Sequence, residues 1–128
     1  MDDLKNEKIQ VAKQILMQLG GQEFLITTGS KDLVYDWNSL QMRLPRNASG
    51  ANSLKITLGG DDLYDVVFSY HRAASYRVKD GKVVEYPEIH KEIWRYTGVY
   101  WDMLRSIFTE VTGFDTHLPR FAKERDNN

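Results

Sequence analysis

Asp61, Asp62, Asp65 and His71 fall close together along the chain. Clustered carboxylates suit a hard divalent cation. The spacing matches no EF-hand loop, however, and Gly59-Gly60-Asp61-Asp62 is itself strong turn chemistry. A turn followed by an outward Asp65 accounts better for these residues than a metal site. Glu88, His90 and Glu92, with the distant His117, are the other grouping that suggests acid–base or metal work. HExxH is absent, and alternate residues on a strand share a face without doing chemistry, so solvated histidines are the simpler account. Ser39, Ser49, Ser69 and Ser106 lack a nucleophile-elbow context. Gly59-Gly60 leads into two aspartates, which would repel a phosphate. No catalytic residue, metal ligand or cofactor site is assigned, and the chain is read as non-enzymatic.

Binding chemistry is better represented. Arg43, Arg46, Lys55, Arg72 and Arg77 form a basic set, with Trp37 and Tyr76 as stacking surface. A basic sheet bearing aromatics is one way to hold single-stranded nucleic acid. No RNP-type aromatic motif accompanies the set, and a mixed, solvated sheet face explains the same residues. Tyr86, Trp94, Tyr96, Tyr100 and Trp101 are too dense to enter one small core together. Tyr and Trp are favoured at interface hot spots, so Trp94 and Trp101 join the basic residues as candidate partner contacts. If both are exposed and adjacent, a protein partner or a homodimer is favoured over packing within the chain.

These side chains need elements to position them. Leu4, Lys8, Val11/Ala12, Ile15/Leu16 and Leu19 recur at helical spacing and predict a helix over 3–19, with Asp2 or Asp3 as N-cap and Gly20-Gly21 as its end. Glu23–Thr28 reads as a first strand and Leu33–Tyr35 as a short second one. Asp36–Ser39 is a turn. Leu40, Met42 and Leu44, then Leu54, Ile56 and Leu58, then Tyr64, Val66, Phe68 and Tyr70 alternate with polar residues, the period of half-buried strands. Tyr76–Val78 and Lys82–Glu85 flank Asp80-Gly81, a type I′ hairpin signal. Glu88–Tyr96 is read as a loop or an edge strand. Tyr100–Thr112 is a helix with a stripe of Tyr100, Met103/Leu104, Ile107/Phe108 and Val111, closed by Gly113 with Phe114 folding back on Phe108. The fold class is therefore α+β: an antiparallel β-meander sheet of five or six strands, with an N-terminal and a C-terminal helix packed on one face. Gln41, Arg43, Lys55, Thr57, Asp65 and Val67 lie on the other face.

Composition sets outer limits. The 128 residues suit one domain, expected over 1–118, with a polar, flexible tail at 119–128. The formal net charge of −1 predicts no general affinity for nucleic acid, although residues 31–82 carry eight Lys/Arg against six Asp/Glu and residues 83–128 carry six against eight. The chain has no cysteine, which excludes disulfides and thiolate chemistry. No apolar run approaches a membrane span, and the N-terminal MDDLKNEK is unlike a signal peptide. Asn47-Ala48-Ser49 matches a glycosylation acceptor by chance.

GSKDLVYDWNSLQMRLPRN, ANSLKITLGGDDLYDV and GVYWDMLRSIFTEVTGFDTHL resemble blocks found, in this order, in small proteins of unknown function encoded by bacteriophages and mobile elements, especially those of gut bacteria. The resemblance spans roughly residues 13–118 and is weakest over Ala73–Ile93. It implies a phage or mobile-element origin and the cytoplasm of a bacterial host, and it brings no catalytic residue with it. The expected function is a small accessory protein that binds a macromolecule. The partner would be a host or phage protein, or a nucleoprotein complex, and no membrane is involved. A counter-defence inhibitor, such as an anti-CRISPR protein, is one such role. The alternatives are a single-stranded nucleic-acid-binding accessory for replication or recombination, and a small metal-dependent enzyme built on the aspartates.

Overall fold

Two helices open the chain where a helix and then a strand are expected. The computed structural model describes the backbone of residues 2–116 and the side chains of residues 9–116. Helix α1 spans Asp2–Leu19 and α2 spans Gly21–Thr28. The expected N-cap side chains and His117 lie outside the described residues, as does the 119–128 tail. Along α1, Ala12, Ile15 and Leu19 are buried at helical spacing, with Val11 and Leu16 half-buried beside them. Gly20 ends the helix at φ 131°, its N–H bonded to the carbonyls of Leu16 and Met17.

The strand expected over Glu23–Thr28 is a helix instead. Its β-branched and aromatic residues favour a strand locally, but tertiary packing overrides that preference. Phe24 and Thr28, four apart, are both buried. The Thr28 hydroxyl donates to the Phe24 carbonyl at 2.8 Å, and Phe24 meets Phe108 edge-on with centroids 4.9 Å apart. Gly29, in the left-handed conformation, closes α2 with an N–H bond to the Leu25 carbonyl.

Among the described residues seven strands follow: β1 (Lys31–Asp36), β2 (Ser39–Arg43), β3 (Ser53–Leu58), β4 (Tyr64–Arg72), β5 (Ser75–Lys79), β6 (Lys82–Tyr86) and β7 (Ile89–Val99). Five form an antiparallel sheet in the order β1-β2-β3-β4-β7, and β5 and β6 form a separate two-stranded ribbon between β4 and β7. The segment read as loop or edge strand is thus the eleven-residue edge strand β7. Trp101–Met103 makes one 3-10 turn before α3 (Leu104–Thr112). Tyr100 and Met103, expected in the apolar stripe of the last helix, are exposed, because that turn precedes the α-helical face. Gly113 caps α3 in the left-handed conformation.

The core lies between the helices and one face of the large sheet. Leu40, Ile56 and Val66 sit opposite one another across β2, β3 and β4, as do Met42, Leu54 and Phe68, and all six are buried. Phe108 of α3 packs on Phe24 and lies 6.4 Å, between centroids, from Phe68. The Tyr64 hydroxyl donates to Gln18 Oε1 at 2.7 Å and accepts from Gln14 Nε2 at 3.1 Å, which ties α1 to β4. Among the described residues, no helix is long and apolar enough to cross a membrane.

Candidate functional site

The sheet face away from the helices forms an open groove of about 540 Å³. Strand alternation puts Gln41, Arg43, Lys55, Val67 and Ser69 into it, and β7 adds Glu92 and Arg95. Val34, Gln41, Lys55, Val67 and Arg95 form one cross-strand row; Lys31, Arg43, Ser53, Ser69 and Glu92 form the next. Among the described residues, three Lys/Arg side chains line the groove, and two of them are already balanced. Arg43 lies 3.6 Å from Asp32, which occupies a bulge at φ 54°. Arg95 donates to Glu92 Oε1 through Nε (2.9 Å) and Nη2 (2.6 Å). That hydrogen bond is the main reason the Glu92 carboxyl sits below the usual glutamate range; desolvation opposes it and the Arg95 charge adds to it. Arg95 is correspondingly raised, first by the same bond and then by the charges of Glu92 and, more weakly, Asp65. Lys55 has no ion-pair partner among the described residues. Among the described residues, no Phe, Tyr or Trp lines the groove, so they give it none of the stacking surface that single-strand binding uses.

At one end of the groove stand His71 and His90, opposite each other across β4 and β7 with ring centroids 5.8 Å apart. His71 Nε2 lies 2.9 Å from Glu88 Oε1. From here the β5–β6 ribbon leaves the sheet as an arm. Its register does not slip. Arg72 faces Ile89, and three residues further along each strand Ser75 faces Tyr86. The ladder breaks only where Ala73-Ala74 meets Pro87-Glu88, and proline has no N–H to donate. Asp80 (φ 53°) and Gly81 (φ 77°) make the two-residue turn with both residues in the left-handed region, as a type I′ hairpin requires.

Opposed residues share a face, so the arm has two distinct sides. One carries Ser75/Tyr86, Arg77/Val84 and Lys79/Lys82; the other carries Tyr76/Glu85 and Val78/Val83. The Arg77 guanidinium lies 5.6 Å from the centre of the Tyr86 ring. Tyr76, Val78 and Val83 are 67%, 75% and 72% exposed.

The candidate residues therefore separate into several places. Arg43 and Lys55 share the groove. Arg46 lies beside a shallow pocket with Pro45, Asn47 and Tyr70, and Asn47 spends its amide on the Pro45 and Ala51 carbonyls. Arg72 ends β4 on the side away from the groove, and Arg77 is on the arm. Of the two proposed stacking groups, Trp37 sits in the β1–β2 turn and Tyr76 on the arm's apolar face. Trp94, opposite Phe68, and Trp101 are 53% and 60% exposed, and no ring contact joins them. The aspartates at 61 and 62 belong to the β3–β4 turn, where Asp61 Oδ1 accepts the Leu63 N–H at 3.2 Å. Among the described residues, no three His, Asp or Glu side chains converge as a metal site would require.

Arg95, Lys79 and Lys82 were missed at the sequence level. Counting outward from Asp80-Gly81 would have paired Lys79 with Lys82 and put Arg77 on the same face. Nothing local marked Arg95, because its face depends on the register of β7 against β4. No protein-family model, curated protein or solved structure matches the chain.

Proposed function

We propose that this chain is a small accessory protein of a phage or mobile element that acts by binding a protein of its bacterial host and not by chemistry. The supporting observation is the apolar side of the arm. Tyr76, Val78 and Val83 are each more than two-thirds exposed on a ribbon with no core of its own. A two-stranded ribbon alone is marginally stable in water, and apolar groups held out on one are groups a partner would bury. The resemblance to phage and mobile-element proteins supports the origin and the bacterial cytoplasm. Small proteins of such elements include inhibitors of host defence, CRISPR effectors among them, and a counter-defence inhibitor is the specific role proposed.

The test compares intact protein with Val78→Ser/Val83→Ser protein in affinity capture from nuclease-treated bacterial lysate. Both positions are exposed, so the variant's melting temperature should stay within a few degrees of the parent's. The intact chain should retain a defined host protein that the variant loses. Identical protein recovery by the two would remove the arm's apolar face from the function.

A further inference from the structure

The other side of the arm is cationic. Arg77, Lys79 and Lys82 lie on it together, with no carboxylate among the residues of that face. Asp80 is in the turn and Glu85 is on the apolar side. None of the three cations has an ion-pair partner among the described residues. Lys79 and Lys82 are directly opposed in the last rung before the turn. Like charges so placed oppose each other and destabilise the pair, and an anion held between them would relieve that repulsion. Lysines on an exposed ribbon also discourage stray strand pairing. That role does not need a like-charged rung. The groove, by contrast, has two of its three described cations balanced by Asp32 and Glu92.

We infer that the arm's cationic face binds the phosphates of duplex DNA. A two-stranded β-ribbon fits the major groove of B-form DNA, whereas the major groove of an RNA helix is too deep and narrow for one. A single strand would need stacking rings; Tyr86, the one aromatic on this face, already lies against Arg77. Duplex binding goes beyond the protein-binding proposal, since it concerns the opposite face of the arm. Together the two faces suit a nucleoprotein target.

The test is fluorescence anisotropy with a labelled duplex about two helical turns long, from about 50 to 200 mM salt. If each of the three cations covers one phosphate, affinity should fall roughly 40-fold over that range. Lys79→Ala/Lys82→Ala should bind more weakly at low salt and lose only about 3- to 4-fold, because one phosphate contact remains. Val78→Ser/Val83→Ser should bind DNA as the intact chain does, while unchanged circular dichroism and melting show that both variants fold. The inference is overturned by no duplex binding at low salt, by binding that ignores the lysine pair, or by equal or tighter binding of single-stranded DNA or duplex RNA. Host-protein capture that depends on Val78 and Val83 but comes with no DNA binding would overturn this inference alone. DNA binding with no such capture would overturn only the protein partner.

Discussion

Arg95 shows how much at the residue scale depends on which groups a strand brings together. Its two hydrogen bonds to Glu92 remove a cation from the groove and hold the carboxylate ionised to lower pH. The sign follows from linkage. Glu92 titrates lower in the folded chain than in the unfolded one, so the pair favours folding at pH above the ordinary glutamate range, and that contribution is lost as pH falls through the folded value. Both side chains are well exposed, so the pair counts for local order and groove charge more than for stability. A side-chain NMR titration should place Glu92 below the usual glutamate range, and Arg95→Gln should raise it toward that range. A Glu92 titration unmoved by that substitution would contradict the pairing.

At the scale of elements, the junction between α1 and α2 is the most constrained link. Gly20 and Gly21 both have positive φ, yet their surroundings differ. A Cβ on Gly20 would lie 2.9 Å from the Thr116 carbonyl oxygen and 3.1 Å from Phe24 Cβ, whereas one on Gly21 would meet nothing within 4 Å. Gly20→Ala therefore combines a disfavoured φ with a backbone clash and should cost roughly 1–3 kcal/mol. Gly21→Ala suffers only its φ and should cost less, about 1 kcal/mol. Urea unfolding of the two variants measures the difference; equal losses would mean that the Thr116 carbonyl yields freely. The arm is the opposite kind of element. It is held at its base by β4 and β7 and packed on neither side, so substitutions at its exposed positions should alter binding far more than folding.

For the whole molecule, Phe108 joins layers that the chain visits at widely separated points. It meets Phe24 from α2 and Phe68 from β4 and is 1% exposed. Phe108→Ala should cost about 3–5 kcal/mol, because nothing nearby can refill the space of a ring enclosed by helix and sheet. The whole chain should then unfold at lower urea, with helical and aromatic signals moving together. Helical signal lost ahead of the sheet would show that the helices and sheet do not fold as one unit. The same packing leaves the groove face uncovered, since both apolar layers lie on the other side of the sheet.

Much of this architecture was written locally. The alternation through Leu40–Leu44, Leu54–Leu58 and Tyr64–Tyr70, the turn at Asp80-Gly81 and the left-handed cap at Gly113 each follow from period, missing donors or φ preference within a few residues, and so did the α+β class. The outward positions of Gln41, Arg43 and Lys55 followed from the same period. Long-range contacts decided the rest. Glu23–Thr28 carries strand-forming residues and became a helix because Phe24 is buried against Phe108, a residue far along the chain. Arg43 became a balanced group once the Asp32 bulge was set, and Arg95 with Glu92 joined the groove once the β4–β7 register was set. The amino-acid sequence alone determined which segments alternate and where they turn, because those are short-range steric and solvation preferences. Tertiary structure alone decided which charges stay unpaired and which apolar groups stay exposed, because partnership and burial belong to pairs of residues and not to either one.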